Sequence, residues 1–542
     1  MSILADMKMY GRFAWGLRGF LKHTLTLEEA KAIIKKRMEE RETNFIRLVR
    51  KGIFGYPKSP YLPLMKLAQC EMGDIENMVK AKGLEGTLKA LREEGVYITF
   101  EEFKGREPIV RNGKIIPVKA HDFDNPYLSH YYAGETGGTT GAGTRVGLDL
   151  DHIKSQAPFI MLGMNAHGLL DLPALSWWGI PPDITGFESL LLRTHYGYLP
   201  KKWFYPITRQ DLRPPLKHRL ATQYIIMMGR LHGFSFPWPE PLSLNRASIV
   251  ARWVSETLKT YGSCLVSTHI SRLLRISLAA QEEGFDLTGA TFLGGGEPPT
   301  PAKVHTIIRC GARYIPHYFF AETGVVAWSC TKPIEINDLH LFKDGLALIQ
   351  YPRQVPGSDI TVDAFNFTTL LPTAPKVMLN VESDDYGIVE TRPCGCPFEC
   401  CGYTEHIRKI LSFRKLTGEG VTLVGSEMVH ILEEILPMHF GGSPLDYQLM
   451  EEEDEQGFTR LTLIISPKIE IKDNKEVIDI ILKALRESSI SADMAQAIWS
   501  QAGTLRVKRM EPVWTNRGKL MPLHFSKRTI GSKKRNGIPK GG

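Results

Sequence analysis

The sequence predicts an α/β protein of several parts: a helical N-terminal segment, a large α/β core and a small α+β domain near the C-terminal end. The chain has 542 residues, of which 43% are hydrophobic, so it is too long for one hydrophobic core. Apolar runs alternate with helical patterns through its middle, as at residues 304–310 and 312–315. We place the parts at residues 1–120, 121–408 and 409–526, followed by a basic tail at 527–542.

The first hundred residues show the spacing of helices. Residues 27–50 are charged and periodic, with Thr26 as a candidate N-cap, and residues 74–94 predict two short helices that separate near Gly83 and Gly86. Apolar side chains in residues 10–22 recur at helical spacing between basic ones. This stripe predicts a helix docked on the protein itself, with a membrane surface as the alternative.

The charge pattern argues against a nucleic-acid partner. The formal net charge is +8, but the tail alone contributes six cations and no acid: Lys527, Arg528, Lys533, Lys534, Arg535 and Lys540. The remainder is nearly neutral, so the tail is interpreted as a solvated terminus. No apolar run reaches the roughly 18 residues of a membrane span, and no signal peptide is recognisable. With only eight cysteines, we expect a cytoplasmic protein.

The last 130 residues predict a separate small domain. Alternating apolar residues at 461, 463 and 465 predict a half-buried strand, and residues 505–510 predict another. Between them, one face of a helix is marked by Val477, Ile478, Ile481, Leu482 and Leu485. The acidic residues 451–455 are interpreted as a solvated hairpin loop.

A segment rich in glycine and threonine, residues 135–144, reads E-T-G-G-T-T-G-A-G-T and precedes a strand that starts near Val146. Glycines without Cβ let backbone N–H groups turn towards an anion, and the hydroxyls of Thr136, Thr139 and Thr140 add neutral donors. The segment matches neither a Walker loop nor the G-x-G-x-x-G dinucleotide pattern. It predicts a phosphate-binding loop of another kind, with an ordinary surface turn as the alternative.

Four further segments follow in a recognisable order. They are G-G-G-E-P at 294–298, Y-F-F-A-E-T-G at 318–324, S-D-D-Y at 383–386 and P-V-W-T-N-R-G-K at 512–519. Together with the loop, this series resembles the adenylate-forming superfamily of acyl- and aryl-CoA synthetases, and most of all its phenylacetate–CoA ligase branch. The family motifs are S-G-T-T-G, G-G-E-P, Y-G-x-[TS]-E, T-G-D and P-x-x-T-x-x-G-K. The resemblance extends over residues 132–519.

The resemblance implies a function. A carboxylic acid, aryl or acyl, would attack the α-phosphate of ATP to give an acyl-adenylate and pyrophosphate, with Mg²⁺ present, and coenzyme A would then take up the acyl group. By the same resemblance the C-terminal domain is mobile and delivers Lys519 to the site, and Glu322 binds Mg²⁺, with Thr139 as a further catalytic residue. The implied nucleotide-binding residues are Thr136, Gly137, Gly138, Thr140, Gly141, Gly295, Gly296, Glu297, Pro298, Tyr318, Ala321 and Asp385.

The sequence also departs from the family motifs. Gly137 stands where the family has serine, Arg145 is the nearest cation to the loop, and Ala321 replaces a hydroxyl residue. The ribose ligand is Asp385 or its neighbour Asp384, and the hinge arginine is Arg408 or Arg414. Two other functions stay open: transfer of the acyl group to a protein or carrier protein, and a nucleotide-binding homologue without catalysis.

Two groups of residues have less specific signals. His167, Trp177 and Trp178 lie where the family builds its acid pocket, although a lone histidine on an apolar segment is more often a core residue. The cysteines Cys394, Cys396, Cys400 and Cys401 lack the two separated C-x-x-C pairs of common zinc sites. Packing in a turn, metal binding and redox sensitivity all remain open for them.

Overall fold

A computed structural model describes most of the chain: residues 3–128, 131–135, 145–181, 183–206, 216–296, 299, 301–320, 322–354, 361–412, 415–418, 421–424, 428, 430–456, 458–488, 499, 502–513 and 523–525. The helices among them are α1 (Ile3–Phe20), α2 (Leu27–Glu39), α3 (Arg41–Leu48), α4 (Leu62–Leu67), α5 (Met72–Glu93), α6 (Phe100–Phe103), α7 (Leu150–Ala166), α8 (Thr185–Thr194), α9 (Leu216–Leu231), α10 (Ser248–Tyr261), α11 (Ile270–Glu283), α12 (Pro301–Arg309), α13 (Leu436–Phe440) and α14 (Asn474–Ser488). Two π-helical turns, Val49–Phe54 and Ile431–Ile435, precede α4 and α13.

Two short hairpins precede the main sheet in the chain. They are formed by β1 (Ile109–Arg111) with β2 (Lys114–Ile116), and by β3 (Tyr131–Glu135) with β4 (Arg145–Asp149). The second hairpin brackets the predicted phosphate loop, and β4 confirms the strand predicted near Val146.

Twelve of the described strands form one mixed sheet. Its strands are β5 (Ala174–Trp177), β6 (Lys202–Pro206), β7 (Pro239–Leu242), β8 (Cys264–His269), β9 (Ala290–Gly295), β10 (Arg313–Phe320), β11 (Gly324–Ser329), β12 (Leu339–Leu341), β13 (Leu346–Gln354), β14 (Thr361–Thr369), β15 (Val381–Thr391) and β16 (Glu405–Ser412). The order across the sheet is β13-β14-β15-β16-β12-β11-β10-β9-β8-β5-β6-β7.

The sheet has a parallel half and an antiparallel half that meet at β10. Strands β10, β9, β8, β5, β6 and β7 pair in parallel, whereas every pairing from β10 through β11 to β13 is antiparallel. Helices cover both faces of the parallel half, as such sheets require. On β8, for instance, Leu265 packs with α7 and α8 while its neighbour Val266 packs with α10 and α11.

The N-terminal helices pack on the rest of the protein: α1 and α2 lie against α7, and α5 lies against β13. Phe13, Leu17 and Phe20 of α1 are buried, which confirms a helix docked on the protein itself. Thr26 caps α2 through a capping box, and α5 breaks at Gly83, where φ is 69°; both features confirm the predictions. Within the described ranges, no helix combines the length and the apolar character that crossing a membrane requires.

Near the C-terminal end lie a hairpin of β17 (Lys415–Gly418) with β18 (Val421–Val424) and a four-stranded sheet. The latter contains β19 (Tyr447–Glu453), β20 (Thr459–Ile465), β21 (Leu505–Arg509) and β22 (Leu523–Phe525) in the order β21-β20-β19-β22. The predicted face of α14 is confirmed, with Val477, Ile481 and Leu485 buried.

Two details of this region correct the sequence analysis. Strand β20 is buried along all of its seven residues, so it is not half-buried. One face packs with α14, and on the other face Arg460 and Thr462 are engaged by Asp454 and Glu452. Residues 451–453 belong to β19, so the turn starts only at Asp454. There the Asp454 carboxylate accepts backbone N–H groups from Gln456 and Phe458 and pairs with Arg460.

Candidate functional site

Several candidate residues lie at the carboxyl ends of neighbouring parallel strands. Strands β5, β8, β9 and β10 end at Trp177, His269, Gly295 and Phe320, and the register pairs His269 directly with Gly295. Ligands in open α/β sheets bind outside the carboxyl ends of the strands. The topology therefore brings the glycine motif and the Tyr318 segment to the edge of the sheet where a ligand is expected.

Gly295 and Gly296 occupy positions where a side chain does not fit. A Cβ on Gly295 would lie 2.7 Å from the His317 carbonyl oxygen and 2.9 Å from Cε1 of Phe319. At Gly296, φ is 80° and a Cβ would lie 2.5 Å from Nδ1 of His269. Both the backbone conformation and the close approach of the imidazole thus require glycine here.

An aromatic wall borders the glycines. The Trp178 ring meets the His269 imidazole edge to face at 4.6 Å and the Phe319 ring at 6.2 Å. Its indole N–H donates to the Ser267 hydroxyl, at 3.1 Å. Burial is the main cause that holds the pKa of His269 well below its usual value, so this imidazole is neutral near pH 7.

Trp177 has a different environment from Trp178. Its side chain is fully buried in the core, and its carbonyl oxygen accepts hydrogen bonds from Thr268 Oγ1 at 2.7 Å and from the Arg272 guanidinium at 2.8 Å. We call Gly295 and Gly296, with His269 and Phe319 beside them, the glycine cluster. Of the two predicted pocket tryptophans, Trp178 is the one that packs against this cluster.

Tyr318 and Asp385, which are predicted to contact adenine and ribose, lie side by side. The Tyr318 hydroxyl donates to Asp385 Oδ2 at 2.6 Å, across the sheet from β10 to β15. Burial and the Asp385 carboxylate together raise the pKa of Tyr318 well above its usual value, so the phenol keeps its proton as the donor. Asp385 is half-buried, whereas Asp384 is fully buried at a φ of 60°. Of the two aspartates, Asp385 is the one that a ligand can reach.

Glu322, the predicted magnesium ligand, forms a buried ion pair with the N-terminal segment. Its Oε1 lies 2.6 Å from Nζ of Lys104, directly after α6, and the two side chains are 9% and 5% exposed. Burial alone would raise the pKa of Glu322, but the Lys104 charge and hydrogen bond outweigh it, so the pKa lies below the usual value. Lys376, itself buried, acts in the same direction.

Other predicted residues lie outside the described part of the chain or away from the site. Outside it lie the catalytic Thr139 and Lys519 and the nucleotide-binding candidates Thr136, Gly137, Gly138, Thr140, Gly141, Glu297, Pro298 and Ala321.

His167 is described but lies elsewhere. Its Nε2 is 2.8 Å from the Ser329 carbonyl oxygen, and its own carbonyl accepts from Arg313. Ser329 ends β11 and Arg313 begins β10, so both contacts lie at the end of the β10–β11 hairpin that is remote from Glu322. The structure does not bring His167 together with Trp177 and Trp178.

Sequence reasoning missed Lys104 and His269. Lys104 is 218 residues from Glu322 along the chain, and only the packing of the N-terminal helices brings the two together. His269 had a usable signal, because a polar residue directly after the apolar run of β8 marks the carboxyl end of a buried strand.

Comparisons with solved structures identify the fold. A 2-hydroxyisobutyryl-CoA ligase, solved with 2-HIB-AMP and CoA in the thioesterification state, is similar with a TM-score of 0.52 and 14% identity, over 93% of this chain and 91% of that one. Two further structures match with lower scores. An o-succinylbenzoate CoA synthetase from Bacillus subtilis has a TM-score of 0.39 and 12% identity, over 72% of this chain and 67% of that one. An anthranilate CoA ligase has a TM-score of 0.33 and 11% identity, over 80% of this chain and 74% of that one.

Comparisons by sequence give no relative. Neither a family model nor a curated protein matches the chain. The fold of this chain is that of an adenylate-forming acyl-CoA ligase, as the motifs predict. The phenylacetate–CoA ligase branch stays a prediction.

Proposed function

We propose that this protein activates a carboxylic acid with ATP, releasing pyrophosphate and forming an acyl-adenylate, and then transfers the acyl group to coenzyme A. One observation carries the proposal: the glycine cluster, Tyr318, Glu322 and Asp385 come from separate motifs and are gathered around the end of β10. Their order in the chain is that of the adenylate-forming motifs, and the fold is similar to that of a ligase solved with an adenylate and CoA.

The described residues suit the binding of a nucleotide. The Asp385 carboxylate accepts hydrogen bonds and is partly accessible, so it suits the two ribose hydroxyls. The Tyr318 ring is held by its hydrogen bond to Asp385, which fixes it as a flat apolar surface for adenine. The lack of side chains at Gly295 and Gly296 lets the backbone at the end of β9 lie directly against His269 and Phe319.

Glu322 is compatible with a role in binding Mg²⁺. The ion takes carboxylate ligands together with phosphate oxygens and waters, so a single protein carboxylate suffices beside ATP. When bound, Mg²⁺ would offset charge on the phosphates. Lys104 keeps the Glu322 carboxylate ionised and fixed in place without the ion. Because the ammonium lies within the same ion pair, we propose Lys104 as a second cation for the phosphates, where the loop itself lacks lysine.

The aromatic wall supports an aryl or acyl acid as the substrate. Trp178 and Phe319 present apolar ring surface, and the neutral imidazole of His269 adds no charge that would compete for the carboxylate. Binding of the acid next to the α-phosphate would make the reaction mainly one of positioning and charge stabilisation. We propose that Lys519 and the hydroxyl of Thr139 stabilise this charge.

Coenzyme A is the acceptor that the comparison favours. The 2-hydroxyisobutyryl-CoA ligase of the same fold was solved with an adenylate and CoA together. An acyl-acceptor protein is the alternative acceptor, and both share the adenylation step.

The test is pyrophosphate release from ATP and Mg²⁺ across a panel of aryl and fatty acids, with and without CoA. We expect release that requires one class of acid, turnover that CoA stimulates, and loss of both in Lys519→Ala. Release without any use of CoA would point to a protein acceptor. If ATP binds in calorimetry but no acid supports release, a nucleotide-binding protein without catalysis replaces the proposal.

A further inference from the structure

Three cysteines and a histidine meet at the end of β11 that is remote from Glu322. Cys330 directly follows β11, His340 lies on β12, and Cys394 and Cys396 belong to the loop between β15 and β16. One ligand atom from each of the four residues lies within 4.8 Å of all the others. Cys330, His340 and Cys396 are buried and Cys394 is half-buried.

The spacing of these atoms is close to that of a tetrahedral metal site. Nε2 of His340 lies 3.0 Å from the Cys396 sulfur and 3.7 Å from the Cys394 sulfur. With metal–sulfur bonds of about 2.3 Å and metal–nitrogen bonds of about 2.1 Å, ligand atoms at tetrahedral corners are roughly 3.5–3.8 Å apart. The distance from His340 to Cys394 agrees with this range, the distance from His340 to Cys396 is shorter, and all four atoms lie within 4.8 Å of one another. Side-chain shifts of up to about one ångström would thus complete the coordination.

We propose that Cys330, His340, Cys394 and Cys396 bind one Zn²⁺ ion. Thiolate and imidazole are the ligands that zinc prefers over the hard cations, and three cysteines with one histidine fill its four positions. With no position left for water or substrate, the ion is structural. It fastens the loop between β15 and β16 to β11 and β12, because His340 and Cys330 are 54 or more residues away along the chain from Cys394 and Cys396.

The surroundings hold the ligands in place. The sulfur of Cys330 accepts the backbone N–H of Lys332 at 3.3 Å, and the Lys332 ammonium donates to the Gly395 carbonyl at 2.8 Å. The Glu399 carboxylate accepts the backbone N–H groups of Cys394 and Gly395, at 3.0 and 2.6 Å. Such hydrogen bonds around the ligands orient metal sites and add to their affinity.

A second set of potential ligands shares Cys330 but is already engaged. Asp338 and His406 lie near its sulfur, yet Asp338 Oδ1 is 2.6 Å from Nδ1 of His406, and its other oxygen pairs with Arg392. This ion pair network satisfies the Asp338 carboxylate without a metal.

The proposal also separates the four cysteines of the loop into two pairs. Cys394 and Cys396 bind the metal, whereas Cys400 is exposed and Cys401 lies near Lys31 of α2. Cys400 is therefore a matched control, because it is a cysteine of the same loop that takes no part in the cluster.

The experiment measures zinc per chain by elemental analysis in the purified full-length protein, in Cys396→Ser and in Cys400→Ser. We expect about one zinc per chain in the wild type and in Cys400→Ser, and less than about a tenth of that in Cys396→Ser. If Cys396→Ser does not fold, wild-type protein stripped with a chelator and reloaded with Co²⁺ gives the second readout. Absorption bands of tetrahedral cobalt with thiolate ligands are expected there.

Three results would overturn the proposal. The first is a wild type that lacks stoichiometric zinc and also fails to bind Co²⁺ in tetrahedral form. The second is an equal zinc content in the two variants. The third is a disulfide between cysteines of the cluster in place of the metal. None of these readouts depends on adenylation activity.

Discussion

The two ends of the β10–β11 hairpin have opposite chemistry. At one end, Glu322 and Lys104 form a buried ion pair, whose carboxylate suits a hard cation and whose ammonium suits a phosphate. At the other end, about 20 Å away along the six residues of β11, Cys330 and its partners offer sulfur and nitrogen. One hairpin thus connects a site suited to a nucleotide with a site suited to zinc.

The difference shows how each end is stabilised. The Glu322 end depends on charge that the N-terminal segment supplies, so replacing Glu322 or Lys104 removes the buried counter-charge of the other residue. The cysteine end has no compensating charge among its ligands and depends on a bound ion. Perturbing each end separately should therefore change activity and stability in different ways. We expect four effects of decreasing size.

Replacing Glu322 by glutamine should give the largest effect on both activity and stability. We expect a loss of about 10²–10³-fold in pyrophosphate release and of about 3–5 kcal/mol in the free energy of unfolding, because the buried Lys104 charge loses the carboxylate of its ion pair. Activity assays and urea denaturation measure the two. The double variant Glu322→Gln, Lys104→Met should recover much of the stability and none of the activity.

The matched control for this prediction is the exposed pair of Lys202 and Glu240. Its atoms are 2.7 Å apart, but the side chains are 41% and 47% exposed. Glu240→Gln should cost no more than about 1 kcal/mol. Equal losses in Glu240→Gln and Glu322→Gln would contradict the role of burial.

Removing the metal should have the next largest effect. At a free zinc concentration about a thousand times the dissociation constant, bound metal stabilises the fold by about 4 kcal/mol. A chelator should therefore lower the Tm of the wild type and of Cys400→Ser alike and leave that of Cys396→Ser unchanged. Scanning calorimetry decides this; a Tm that falls in all three proteins would show a metal bound elsewhere.

An alanine at Gly296 should have a smaller effect. A new Cβ would meet His269 Nδ1 at 2.5 Å in addition to the strain of a positive φ, so we expect a loss of about 2–3 kcal/mol and a raised KM for ATP. Gly284 is the control, because its φ is 71° and its Cβ would meet nothing within 4 Å. Gly284→Ala should lose about 1 kcal/mol and keep its KM.

The smallest expected effect is the change with pH in the stability difference between the wild type and Lys104→Met. In the wild type, Lys104 holds the pKa of Glu322 below 4.5, so the ion pair stabilises the fold above that pH and this stability is lost as the pH falls through the lowered pKa. In Lys104→Met, burial raises the pKa instead, so the deficit in stability should be greatest near pH 7 and shrink as the pH falls towards 4. Each pKa unit of difference amounts to about 1.4 kcal/mol.

Urea denaturation of both proteins between about pH 4 and 7 measures this dependence. Lys202→Met serves as the control with an exposed partner. A deficit in Lys104→Met that stays constant across this range would show that the lysine acts through packing alone.

Local patterns in the sequence predicted local structure well. The capping box at Thr26, the break at Gly83 and the buried face of α14 follow from spacing within one or two turns. The motif order also predicted the fold. The pairing of Glu322 with Lys104 could not be predicted in this way, because it depends on how two distant segments pack.

The cysteine cluster could not be predicted from the sequence for the same reason. The sequence grouped Cys394 and Cys396 with their neighbours in the chain, whereas the sheet groups them with Cys330 and His340 from two other strands. Burial of β20 on both faces likewise depends on the residues that cover each face and not on its own alternation.

The most direct test of the central claim is the exchange of radiolabelled pyrophosphate into ATP without CoA, since this isolates the adenylation step. The account predicts exchange that requires an acid, falls at least about 100-fold in Glu322→Gln, and is unchanged in Cys400→Ser. Exchange that Glu322→Gln leaves intact would contradict the assignment of this end of the hairpin to adenylation.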